Sequence, residues 1–314
     1  MCIIRAYLLI QIIISILLFN NTGYGQGCSD AGICSACALN GIQNPARDTV
    51  QKANPNSIIL FEFFGLGEQS TKIYTTQLQW DYVIIKDQLS SQIKLPYSFI
   101  DGKLGNVNGL NDITINLSYR ASNKNRVNWM LIGGIKIPTG KANNSINNLP
   151  LPMIYQTSLG SYDVLAGLKM VYRKWDLSIG YQHSFSSTEN HYLHLPIADS
   201  IPYNNYYQSN KMKRADDALV RINRNIKIKT TNLMAGVLFI YHLKDDDIIN
   251  KSGQMVKATG SKGVTLNFNV GAAIPLSEHS NFLFSFGAPL ITRKYKTDGL
   301  ARAMVISVAI ERMF

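Results

Sequence analysis

Apolar and polar side chains alternate over stretches of about ten residues along this chain, and that period of two constrains its fold more than any motif. In GVTLNFNVGA (263–272), Val264, Leu266, Phe268 and Val270 fall on one side, and Thr265, Asn267 and Asn269 on the other. NDITINLSYR (111–120) sets Ile113, Ile115, Leu117 and Tyr119 against Thr114, Asn116, Ser118 and Arg120. SYDVLAGLKMVYR, WDLSIGYQHSF, TTNLMAGVLFIYHL and the terminal ARAMVISVAIERMF behave alike. VNWMLIGGIKIP, KIYTTQLQWDYV, SQIKLPYSFI and NFLFSFG are further candidates. A period of two belongs to a strand, not a helix. About ten residues is the length a tilted strand needs to cross a bilayer.

The faces opposite the apolar ones separate a soluble sandwich from a membrane barrel. They carry Asn, Ser, Thr, Gln and Gly, and aromatic residues gather near strand ends. Charged residues make up only 16% of the chain, against about 25% in soluble domains. This suits lipid outside, a wet lumen inside and aromatic girdles at the interfaces. An open sheet in lipid would leave backbone groups unpaired, so the sheet must close. The expected fold is all-β: a transmembrane antiparallel β-barrel of about twelve strands, within a range of ten to fourteen.

MCIIRAYLLIQIIISILLF, followed by NNTGYG, reads as a secretory signal peptide over residues 1–25, with Gln26 the first mature residue. Residues 26–55 then form a cysteine-containing segment, either a small plug or a periplasmic tail, and residues 56–314 form the barrel. Cys28, Cys34 and Cys37 cluster in GCSDAGICSACALNG. Outside the cytoplasm a Cys28–Cys34 disulfide is the expectation, with Cys37 spare or competing for a partner. No nearby His or fourth Cys completes a metal site there.

RKWD (173–176) has the brevity of a periplasmic turn, whereas residues 139–160, 186–217 and 244–263 are long and polar, as extracellular loops or loops folded into the mouth would be. KDDD (244–247) reads as a solvated turn, because calcium needs more oxygen ligands with glycines between them. His191 and His194 in HYLHL read as loop surface. The formal charge of +11 comes from scattered, not clustered, lysines and arginines, which argues against a nucleic-acid partner.

The strand ending GGIKIPTG (133–140), preceded by GLNDITINLSYR (109–120) and followed by a last strand ending in Phe314, resembles outer-membrane channel proteins of the phenol-degradation-pathway type. These are distantly similar to long-chain fatty-acid transporters. The resemblance implies a Gram-negative outer-membrane location and passive transport of a small hydrophobic or amphipathic solute. A non-transporting structural or adhesion barrel, with loops that bind something outside, is the alternative. Outer-membrane lipids and the barrel-assembly machinery are the expected partners; oligomeric state stays open. Ile306, Val308, Ile310 and Phe314 match the assembly signal, while Arg312 departs from its usual apolar residue.

No catalytic constellation, metal site or cofactor is expected. His183 and Ser184 are neighbours, but on a strand they point to opposite faces. Residues opposite the apolar faces supply the lumen candidates: Lys94, Arg120, Lys136, Lys169, Gln182, Asn267 and Asn269. Met130, Ile132, Leu165, Leu238 and Ile240 fall on that side too, so the expected lumen is mixed.

Overall fold

The computed structural model describes residues 56–122, 127–196, 202–300 and 302–314. The signal-peptide reading, the segment 26–55 and the Cys28–Cys34 pairing lie outside them. Seventeen strands appear in chain order: β1 (Ser57–Gly67), β2 (Lys72–Ile85), β3 (Leu89–Gly102), β4 (Gly105–Leu110), β5 (Ile113–Ser122) and β6 (Val127–Ile137) come first. After them come β7 (Ser145–Ile146), β8 (Leu149–Pro150), β9 (Asp163–Tyr172), β10 (Trp175–Ser184), β11 (Asp217–Ile228) and β12 (Thr231–His242). The last five are β13 (Asp247–Ile249), β14 (Met255–Lys257), β15 (Gly263–Ser277), β16 (Ser280–Ile291) and β17 (Arg302–Met313).

Twelve of these strands close an antiparallel ring, β1-β2-β3-β5-β6-β9-β10-β11-β12-β15-β16-β17 and back to β1. β4 only extends the hairpin of β3. Its chain runs on into β5 after a break at Asn111 and Asp112. β7–β8 and β13–β14 are small hairpins inside the long loops. Closure leaves the twelve-strand ring without edges, which lipid requires.

Alternation assigns the faces. Along β10, Trp175, Ile179 and Tyr181 are exposed while Asp176, Ser178 and Gln182 are buried. Leu60, Leu78, Leu131, Phe239 and Ile310 are likewise exposed on their strands. An apolar surface this extensive has no place in water and suits hydrocarbon. Glu62 interrupts the belt, and the Thr76 hydroxyl on the neighbouring strand donates to its carboxylate at 2.9 Å.

Tight turns collect at one end of the barrel. Two of them, at 173–174 and 229–230, begin with Arg173 and Lys229, each at φ 54°. The long loops collect at the other end and fold inward. From them Leu151, Met153, Tyr155, Tyr192, Tyr206 and Met212 are buried. They pack on wall residues such as Ile73, Ile100, Leu165 and Leu238. A separate apolar cluster lines the seam where the first and last strands meet: Ile59, Phe61, Ala273, Leu283 and Ala309.

Candidate permeation pathway

The inner wall is mostly uncharged and polar, and three of its asparagines sit directly across from glycines. Asn116 faces Gly134, Asn223 faces Gly236, and Asn269 faces Gly287. The fit is close: a Cβ on Gly236 would lie 2.1 Å from Asn223 Oδ1, and one on Gly134 2.2 Å from Asn116 Oδ1. Each amide thus lies in the gap left by the missing side chain.

Two of the buried wall lysines lie beside opposite charge. Lys136 Nζ lies 2.9 Å from Asp112 Oδ2, and Lys169 Nζ lies 2.7 Å from Asp176 Oδ2. Gln182 Nε2 donates to Asp163 Oδ2 at 2.5 Å. Removing one partner of such a pair would leave an uncompensated buried charge. Lys94, Thr114 and Lys136 are consecutive across β3, β5 and β6. Arg120 is half-buried near the tight-turn end, beside Ser118 and Met130. Asn267 and Asn269 are buried on β15, away from the lysines of β3 and β6.

Lys94 and Lys136 share the wall of a cavity with about 830 Å3 of empty space, its opening included. Strands β2, β3, β5 and β6 form its sides, and residues 153–159 and 298–300 cross it from the loops. Phe63, Ile73, Ile100, Leu159 and Leu300 supply apolar surface; Gln77, Ser98, Asn111 and Thr114 supply polar groups. Gly299, at φ +66°, is where the crossing segments touch: a Cβ there would lie 2.4 Å from the backbone nitrogen of Ile154.

Above the cavity a charge cluster fixes the loops. Arg214 pairs with Asp217 and Asp298, and Arg293 Nη2 lies 2.7 Å from Asp298 Oδ2. His242 Nδ1 lies 2.6 Å from Asp217, and its Nε2 lies 2.8 Å from Asp246. With both ring nitrogens facing carboxylates, both donate. Three cations and three carboxylates therefore balance. Burial alone would raise the Asp298 carboxyl, but Arg293 and Arg214 outweigh it and hold the group below its ordinary range. This corrects the expectation of a solvated KDDD turn. Asp246 is buried, and it accepts hydrogen bonds from the Ala215 N–H and the Thr297 hydroxyl as well as from His242. Asp245 instead caps the backbone N–H groups of Gly260 and Lys262. His194 is also more than loop surface, since its Nε2 bonds the Tyr206 carbonyl at 2.7 Å.

Glu68, between β1 and β2, is buried beneath tyrosine-rich loop chain. Burial pushes its carboxyl up to about 8, opposed by Lys296 and the Tyr207 N–H. On the outer face, His183 Nδ1 and the Tyr181 hydroxyl both bond Asp216, at 2.7 and 2.5 Å. Phe185 packs edge-on against His183, with ring centroids 4.7 Å apart. Among the described residues no group of three or more His, Cys, Asp or Glu side chains could hold a metal ion.

No family model and no curated protein matches the chain. Solved structures do match it in shape. The COG4313 outer membrane channel from Pseudomonas putida F1 superimposes with a TM-score of 0.60 at 14% identity, covering 86% of this chain and 99% of that one. The NanC porin gives 0.47 at 9% identity, with 82% and 100% covered. The CymD monoaromatic hydrocarbon channel gives 0.43 at 10%, with 92% and 98% covered. The first of these likenesses is one of fold, and the fold is that of an outer-membrane β-barrel.

Proposed function

We propose that the protein is a passive outer-membrane channel for small hydrophobic or amphipathic solutes. The observation that carries this reading is the mixed cavity between wall and inward-folded loops, held in a closed ring whose outer belt is apolar. About twelve strands is a size at which a barrel starts to enclose a ligand or a narrow pore. In this reading the tight turns are periplasmic and the long loops extracellular. The shape shared with the Pseudomonas putida F1 channel supports it.

The fully occupied loop end favours one rival, a closed barrel whose surface loops bind something outside. Planar-bilayer conductance of the purified, heat-modifiable barrel separates the two. Discrete current steps are expected from the intact chain, or from a variant whose loops are loosened by Asp298→Asn. Silence from both would move the assignment to the structural or adhesive reading.

A further inference from the structure

The lysines and arginines are scattered along the sequence, yet the ring brings five of them to one side of its tight-turn end. The β9–β10 turn carries Arg173 and Lys174; the end of β11 and the turn after it carry Arg224, Lys227 and Lys229. Turn and strand are fastened together. Trp175 is paired with Arg224 across β10 and β11, and the Asn225 N–H donates to the Lys174 carbonyl at 2.8 Å. All five cations are exposed, and none has an acidic partner among the described residues. Asp176, the nearest carboxylate in sequence, is turned to the inner face, where Lys169 holds it at 2.7 Å.

Two of the five lie on outward aromatic rings. Arg173 stands over the Tyr172 ring at 5.2 Å from its centroid, and Arg224 over the Trp175 ring at 5.3 Å. Tyr172, Trp175 and Arg224 are successive across β9, β10 and β11, and all three are exposed. Rings of this kind mark the level where hydrocarbon gives way to headgroups. Arg224 is nevertheless not at the end of its strand's apolar surface. Its outward neighbours are Ile222 on one side and Ile226, then Ile228, on the other, all exposed. Across from it on β12 stands Ala235, whose methyl group is too short to cover it. A cation set into an apolar belt is costly unless an anion meets it or its side chain reaches water. The Trp175 ring supplies part of that compensation, but it offers no acceptor in place for the guanidinium N–H donors.

We propose that this patch binds the phosphate of an anionic phospholipid in the leaflet that meets the tight turns. Charge complementarity selects the occupant, since the row at headgroup level is cationic and lacks an acid of its own. A guanidinium matches a phosphate with two parallel hydrogen bonds. Arg224 and Arg173 hold the phosphate in this arrangement, Lys174 and Lys229 add positive potential, and Ile222 lies along an acyl chain. A zwitterionic headgroup would bring its own ammonium to the same cations. The inference is independent of the transport reading and applies equally to a closed barrel.

The test is quenching of Trp175 fluorescence by brominated lipids. It uses the full-length barrel carrying Trp80→Phe and Trp129→Phe, which leaves Trp175 as its one tryptophan. The probes are brominated phosphatidylglycerol and brominated phosphatidylcholine, each mixed with the unbrominated other. Phosphatidylglycerol should bind beside Trp175 about five-fold more tightly than phosphatidylcholine, on the scale of one basic residue at a charged membrane surface. Arg224→Gln should bring the two lipids to within about two-fold of each other. Lys86→Gln, an equal loss of charge on the exposed β2–β3 turn, should leave the preference as it was. Equal binding of the two lipids in the parent barrel would overturn the proposal. A preference that survives Arg224→Gln, or that Lys86→Gln lowers as much, would overturn it too, because it would then belong to the overall charge. Should the Trp→Phe changes prevent insertion, mass spectra of the native chain released from mixed-lipid nanodiscs give the same comparison through the lipid retained. Conductance is read separately, so a silent barrel that keeps the preference defeats the channel alone.

Discussion

Arg214 and Asp298 stand 84 positions apart in the chain, yet Arg214 Nε lies 3.3 Å from Asp298 Oδ2. That contact, with Arg293 on the same carboxylate, fastens the segment 298–300 over the cavity. Asp298→Asn would leave the buried Arg293 without its countercharge and Arg214 with Asp217 alone. Breaking one side of a buried pair costs about 3–5 kcal/mol. The expected result is faster hydrogen exchange in residues 292–300 and 208–216, with the barrel strands unaffected. Unchanged exchange in both loops would show that the cluster does not hold them.

Glu68 should make the loop end sensitive to pH. Its folded carboxyl titrates near 8, far above the 4.5 of an ordinary Glu. A raised acid stabilises the fold fully below its unfolded value and loses that contribution as pH rises through the folded one. Lys296 and the tyrosines 192, 206 and 295 are the groups it acts on. Exchange protection of the tyrosine-rich loop should therefore fall between about pH 5 and pH 9, and Glu68→Gln should flatten that slope. A profile identical in both proteins would dismiss Glu68 as its source.

Two glycines give a matched pair of stability tests. A Cβ at Gly236 would collide with Asn223 Oδ1 and lie 2.5 Å from the Ile222 carbonyl oxygen, whereas one at Gly133 meets nothing within 4 Å. Gly236→Ala should cost about 1–3 kcal/mol through overpacking, visible as a lower midpoint in heat-modifiability gels. Gly133→Ala should leave the midpoint where it is. Equal midpoints for the two variants would show that the asparagine simply rotates away.

The chain terminus offers a test of assembly. Phe314 and Phe268 are both exposed aromatic side chains, so each loses similar contact with lipid on truncation. Only Phe314→Ala alters the assembly signal expected on the last strand, and its level in the outer membrane should drop severalfold below that of Phe268→Ala. Matching levels would mean that the terminal aromatic carries no signal.

The ring of strands was readable because a period of two survives wherever one face meets lipid and the other meets polar groups. β1 escaped that test. Ile59, Phe61 and Phe63 point inward yet are as apolar as the outward Ile58 and Leu60, so the alternation disappears. β11 is hard to read in sequence for a related reason: Arg221 is buried inside while Arg224 is outside, over the Trp175 ring at 5.3 Å. Alternation could place Lys136 and Lys169 on a face, but not name Asp112 and Asp176 as their partners. The Asp246 and His242 cluster was invisible for a stronger reason. Its members come from three separate stretches of chain, and their meeting depends on how the loops fold back.

The apolar cluster at the β1–β17 seam bears on how the ring closes. Every other neighbouring pair in the ring is joined by a turn or a loop, but β1 and β17 meet from opposite ends of the barrel sequence, with Phe61 against Ala309 and Ile59 against Glu311. Contacts so distant in sequence carry the largest loop-closure entropy and form slowly. A lumenal cluster spanning β15, β16, β17 and β1 gives the open sheet a reason to curl before its last hydrogen bonds form. Phe61 would then act first on the rate of closure and only second on the finished barrel, as a nucleating contact does.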